Sequence, residues 1–299
     1  MKVMEERSET MGRHRLVTFL ASDDACRVQF ALAMNEKCIQ LKMNNTLFQN
    51  THGLSSPGQI STSRDMLLLA LYTLGNEILS KIWCTRNYTI YIKGPQARKI
   101  SLNSLAAHPI LDEEFTFLGG KTGTVNPRKT NVLLVLADKD SNIFVTTVMG
   151  AISEEKRFID AKKLASAAQK KLLNPDYQFE ESLTANSGSV LAVRGKPFLK
   201  VNSCLPSTFS INENNPLPPA SLTKVMTSLI LLETISDLDE TFTFKESDIT
   251  GGSGPQICPD DIISFRDALY LMMLPSSNST ATAIGRVVGR RLIAKRGIY

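Results

Sequence analysis

The sequence predicts an α/β (α+β) chain in which an antiparallel sheet is flanked by helices and joined to a helical lobe. Three observations predict it. Apolar residues recur at helical spacing in 28–43, 62–82, 153–173 and 221–230. Short β-rich or alternating runs lie between them, at 87–93, 98–103, 131–137 and 143–149. The two textures follow one another as helix, sheet, helix, sheet, helix, without an internal repeat.

The totals fit that class. The chain has 299 residues, 42% of them hydrophobic, enough for one large domain or two intimate lobes. Charged residues make up 21% and the net charge is +5. This mild excess, with no Lys/Arg run interleaved with aromatics, argues against nucleic-acid binding. The five cysteines, at 26, 38, 84, 204 and 258, are odd in number and form no Cys-x-x-Cys pair, so they read as buried free thiols. His14, His52 and His108 form no metal-type pair. No metal or cofactor is expected. No apolar run is long enough to span a bilayer, so no integral membrane segment is expected. Residues Met1 to Arg15 are charged and the apolar run Leu16 to Ala21 is brief, so no export signal is visible.

Taken in order, residues 1–25 read as a flexible lead-in and Val28 to Met43 as an amphipathic helix. Asn44-Asn45, His52-Gly53 and Pro57-Gly58 mark a loop. The next helix opens at Thr62, with Asp65 as capping-box partner, and runs to about Ile82. Asn87–Lys93 and Arg98–Asn103 read as strands around Gly94-Pro95. Phe115–Leu118 is a strand leading into Gly119-Gly120-Lys121-Thr122-Gly123-Thr124. Asn131–Ala137 and Ile143–Met149 form a hairpin. Ser153 opens a helix to about Leu173, and 174–186 is a linker. Ser189–Val193 and Pro197–Val201 read as another strand pair. Pro218-Pro219 fixes the start of the Ser221 helix, because proline cannot continue a helix backwards. Ser264 and Asp267 cap a helix to Leu274, Pro275 to Asn278 interrupts it, and Ser279 to Leu292 is helical again.

Three short motifs carry chemistry. In Ser221-Leu222-Thr223-Lys224 the hydroxyl and the amine lie one turn apart on one helix face. A desolvated lysine loses its proton more easily and can take the serine proton. A second Ser-x-x-Lys, at Ser153–Lys156, reads as a helix cap instead. Ser-x-Asn occurs at Ser101, Ser210 and Ser276, but only Ser276-Ser277-Asn278 sits in a break between helices. Lys121-Thr122-Gly123 occurs once, after an apolar strand. Ser276 can pass a proton to a leaving amine, and Asn278 can hold a substrate amide and orient Lys224. Lys121 and Thr122 can bind a substrate carboxylate. Gly123 permits close backbone approach. The N–H groups of Ser221 and Thr124 can form an oxyanion hole.

Ser-x-x-Lys, Ser-x-Asn and Lys-Thr-Gly together are the signature of penicillin-binding proteins and related β-lactamases. The chain resembles the serine-type D-Ala-D-Ala carboxypeptidases, the low-molecular-weight members of that group, through Asn215–Thr227, Leu271–Thr282, Asn45–Met66, Gly120–Thr124 and Ser153–Phe158. The resemblance implies a five-stranded antiparallel sheet with a helical lobe, β-lactamase/transpeptidase-like. It implies a serine peptidase acting on peptidoglycan stem peptides or acylated by β-lactams. The order of the motifs departs from the family, which runs Ser-x-x-Lys, Ser-x-Asn, Lys-Thr-Gly. Here residues 26–173 resemble the second half of the catalytic domain and 187–292 the first half, with 293–299 a tail. The chain therefore reads as circularly permuted through the 174–186 linker. Two gene copies joined in this order would read the same way. The Glu-x-x-Leu-Asn loop of class A β-lactamases is not found, which favours carboxypeptidase over β-lactamase or esterase. A non-catalytic binder of wall peptide or penicillin is the alternative of another class. His52 reads as a packing turn rather than a base.

Overall fold

The computed structural model describes residues 22–194 and 206–297. Three helices come first: α1 (Asp23–Gln40), α2 (Ser63–Leu74) and α3 (Glu77–Cys84). Strands β1 (Asn87–Ile92) and β2 (Arg98–Asn103) pair as a small antiparallel sheet of their own. Then come β3 (Thr116–Asn126), β4 (Lys129–Ala137), β5 (Ile143–Ala151), α4 (Glu154–Leu173), β6 (Ser187–Val193) and β7 (Phe209–Ile211). A 3₁₀ turn at Ala220–Leu222 leads into α5 (Thr223–Thr234). Strands β8 (Thr241–Thr243) and β9 (Ile262–Ser264) pair, and α6 (Phe265–Met273) and α7 (Asn278–Lys295) follow.

The main sheet has five antiparallel strands in the order β3-β4-β5-β6-β7, as expected, with β3 at its edge. Side chains alternate between its two faces. Val132, Leu134 and Leu136 meet Phe158, Ala161, Leu164 and Ala168 of α4. Leu133, Val135 and Ala137 join the core of the helical lobe instead. Both faces are therefore dry, which is why β4 and β5 are apolar almost without interruption. Lys121 pairs with Leu133 across β3 and β4, so its side chain shares the lobe-facing side.

Several boundaries differ from expectation. Helix α1 begins at Asp23, because Ser22 Oγ accepts from Ala25 N at 3.1 Å and caps it. The expected helix 62–82 is two helices, parted at Gly75-Asn76, where the Asn76 side chain caps α3. Asp65 does not complete a capping box: its carboxylate accepts from Asn45 N and from the Thr46 hydroxyl, tying the preceding loop to α2. Lys121-Thr122-Gly123 lies within β3 rather than after a strand. Helix α7 starts at Asn278, one residue early, and reaches Lys295. The first part of the expected lead-in, the strand Pro197–Val201, Cys204 and the last two residues lie outside the described residues. Among the described residues no helix is long and apolar enough to cross a membrane.

The lobe closes where α1 crosses α7. There a β-carbon on Gly289 would stand 1.9 Å from the Cys26 carbonyl oxygen, so the two backbones touch. Gly289→Ala must push the helices apart, and it is expected to cost about 1–3 kcal/mol, read as a lower midpoint in denaturant titration.

Candidate active site

Ser221 sits in the 3₁₀ turn just before α5, half-buried, and Lys224 lies one turn on with 0% exposure. Lys224 Nζ is 2.8 Å from Ser221 Oγ, 2.8 Å from Asn278 Oδ1 and 2.6 Å from the His52 carbonyl oxygen. The last two atoms only accept hydrogen bonds. A neutral amine has two N–H bonds to give them, which leaves its lone pair for the Ser221 hydroxyl proton. Burial drives the Lys224 pKa well below its usual value, and the nearby Lys121 adds to this. The amine is thus aimed at the Ser221 hydroxyl, and burial favours its neutral form.

Asn278 is held from the other side, where its Nδ2 donates to Gly251 O at 2.8 Å. The Gly251–Gly254 loop lies directly on the Ser276–Asn278 break: a β-carbon at Gly252 would be 2.5 Å from Asn278 Nδ2, and one at Gly254 2.5 Å from Ser277 Cα. Both glycines have positive φ, and close approach leaves neither room for a β-carbon. Ser276 itself has φ +68, and Ala220, just before Ser221, has φ +49. Non-glycine residues rarely adopt this conformation, and two of them here mark a strained site.

Lys121 is 1% exposed and donates to Ser276 Oγ at 2.9 Å and to Thr122 O at 2.9 Å. Burial, then the charge of Arg157, lowers its pKa to about 7. Thr122 is buried beside it. Gly123 is a contact between the sheet and the Ser221 turn, since a β-carbon there would be 3.0 Å from Pro219 O and 3.2 Å from Ser221 N. Thr124 is exposed; its hydroxyl donates to Glu154 Oε1 and accepts from Arg157 Nη1, both at 3.2 Å. The eight sequence-predicted residues therefore gather where β3 meets the Ser221 turn and the Ser276–Asn278 break.

Three contributors escaped the sequence reading. Arg157 is 5% exposed, its pKa lowered by burial. It lies on the same buried row of α4 as Ala161, Leu164 and Ala168, and a cation in an apolar row was the available signal. Gly53, with φ +91, presses on the Ser221 turn: a β-carbon there would be 2.0 Å from Ala220 O. Asn131 Nδ2 donates to the Pro218 and Pro219 carbonyls. His52 contributes its carbonyl, while its ring Nδ1 accepts from Leu54 N. Burial, then Lys224 and Arg27, lowers the ring pKa to about 4, so the ring stays neutral.

Residues 25–153 match the family model of D-alanyl-D-alanine carboxypeptidase, and residues 204–297 match that of a β-lactamase enzyme family. The chain resembles a serine D-alanyl-D-alanine carboxypeptidase. Among such carboxypeptidases, DacC of Escherichia coli is 30% identical over 135 residues, 44% of this chain and 31% of the relative. DacA of Haemophilus influenzae is 27% identical over 136 residues, 45% and 33%. DacF of Bacillus subtilis is 28% identical over 144 residues, 47% and 35%. The chain thus spans about a third of the length of these carboxypeptidases. No solved structure matches it significantly.

The buried lysines make stability depend on pH. Lys121 has a folded pKa of about 7 against a usual value of 10.5. Between those values the unfolded chain holds a proton that the folded chain has released, so this group's contribution to stability rises with pH. Lys121→Met lacks that term. Its advantage in melting temperature over the wild type is expected to be largest at pH 7 and to shrink steadily towards pH 10, measured by thermal melts across that range.

Proposed function

We propose that the chain is a serine D-Ala-D-Ala carboxypeptidase that trims peptidoglycan stem peptides through an acyl-enzyme on Ser221. The observation that carries this reading is a buried Lys224 aimed at Ser221, its pKa lowered by burial, beside the buried side chains of Lys121 and Arg157. A cleft that crowds cations out of water favours an anion, and a peptide C-terminus or a β-lactam supplies a carboxylate.

Lys224 takes the Ser221 proton as Oγ attacks the carbonyl carbon between the two D-alanines. The oxyanion lies against the Ser221 and Thr124 N–H groups. Ser276, held by Lys121, relays the proton to the leaving nitrogen; the C–N bond breaks and D-alanine departs. Lys121, Thr122 and Arg157 hold its carboxylate, and Asn278 fixes Lys224. Water then attacks the ester and gives a proton to Lys224, which passes it to Ser221 Oγ as the ester bond breaks and frees the shortened peptide. The match of residues 204–297 to a β-lactamase family favours a second reading, in which the same acyl-enzyme forms from a β-lactam and hydrolyses fast.

The motif order supports a circular permutation. Lys121-Thr122-Gly123 precedes Ser221 in the chain, yet the strand that carries it abuts the Ser221 turn. The 174–186 linker joins α4 to β6, which pack on each other. Buried Asp160 of α4 pins its end, accepting from Thr184 N, Thr184 Oγ1 and Ala185 N.

Fluorescent penicillin followed by peptide mapping tests the reading. A covalent adduct on Ser221, lost in Ser221→Ala, is expected; an unlabelled wild type overturns it. Lys224→Ala is expected to slow acylation by about 10²–10⁴-fold. Fast release of a chromogenic β-lactam from the wild type would favour the second reading.

A further inference from the structure

Asn131 heads the lobe-facing row of β4 that continues as Leu133 and Val135, and it is 1% exposed. Its carboxamide is fully engaged. Nδ2 donates to Pro218 O at 2.9 Å and to Pro219 O at 3.1 Å, and Oδ1 accepts from Gly150 N at 2.9 Å. Gly150 is placed to donate by a register slip: Thr130 pairs with Ala151 but Val132 with Val148, and Gly150 has φ +75. Bulges of this kind re-aim side chains beside active sites.

The turn needs such a tether. Prolines 218 and 219 have no N–H to give, so their carbonyls are the main-chain groups by which the sheet can hold them. Across β3 and β4, Asn131 pairs with Gly123, the residue whose β-carbon position lies 3.2 Å from Ser221 N. One carboxamide therefore ties the nucleophile turn to the register at which β3 meets it. We propose that Asn131 is a positioning residue: it sets the height of the Ser221 turn so that the N–H groups of Ser221 and Thr124 reach one oxyanion together. This rests on the acyl-transfer reading above.

The test uses the full chain with Asn131→Asp, Asn131→Ala and, as a stability control, Val148→Ala, which is buried in the same sheet. Asn131→Asp keeps the shape and the bond from Gly150 N but cannot donate to the proline carbonyls. Acylation by fluorescent penicillin is followed together with the rate ratio between an acyl-D-alanyl ester and its thionoester, whose sulfur is a poor oxyanion-hole acceptor. Both Asn131 variants are expected to lose about 10- to 100-fold in acylation rate with little change in KM, and the ester/thionoester ratio is expected to fall. Val148→Ala is expected to keep rate and ratio despite a lower Tm. The inference is overturned if a folded Asn131 variant acylates within about twofold of wild type. It is also overturned if all three variants lose rate in step with Tm at an unchanged ratio. A wild type that takes no label on Ser221 removes the acyl-transfer reading and this inference with it; a labelled wild type with an equally labelled Asn131→Asp removes this inference alone.

Discussion

The site depends on one buried amine. Lys224 Nζ touches Ser221 from its own helix, Asn278 from the start of α7 and the His52 carbonyl from the loop after α1. A primary amine without water is costly to bury unless its hydrogens find acceptors. Here two acceptors take them, and the remaining direction faces the Ser221 hydroxyl. Taking either acceptor away leaves a buried N–H unpaired, so three distant segments are coupled through a single nitrogen atom.

The rest of the architecture holds those segments still. The sheet is dry on both faces, and its edge strand β3 is pressed against the Ser221 turn at Gly123. Gly53 closes on Ala220 from the lobe, and Gly252 and Gly254 close on Asn278 and Ser277. At Gly53, Gly252 and Gly254 a β-carbon would not fit, and at Gly123 one would crowd its neighbours. Such contacts leave little slack, which suits a site whose Ala220 and Ser276 are held in an unfavourable conformation.

Charge adds a second constraint. Lys121, Lys224 and Arg157 are all buried, and each has its pKa lowered first by burial. The cleft tolerates them because lysine can shed its proton, whereas arginine keeps its charge. Arg157 is therefore the lasting cation, and its contact with Thr124 puts it beside the strand.

Residue types and spacing alone determined that Ser221 and Lys224 share a helix face, that the core is α+β and that Asn131–Ala137 and Ile143–Met149 pair, because these follow from local period and turn chemistry. Even the unusual motif order was legible there. The split of the expected helix at Gly75-Asn76 is local too, since Asn76 caps α3 by accepting from Leu79 N three residues on. Local pattern could not assign the partners of Arg157, Gly53 or Asn131, which lie 33, 167 and 87 residues away in the chain. Those roles were decided by tertiary structure alone, because a hydrogen bond or a steric limit between segments exists only once packing has brought the segments together.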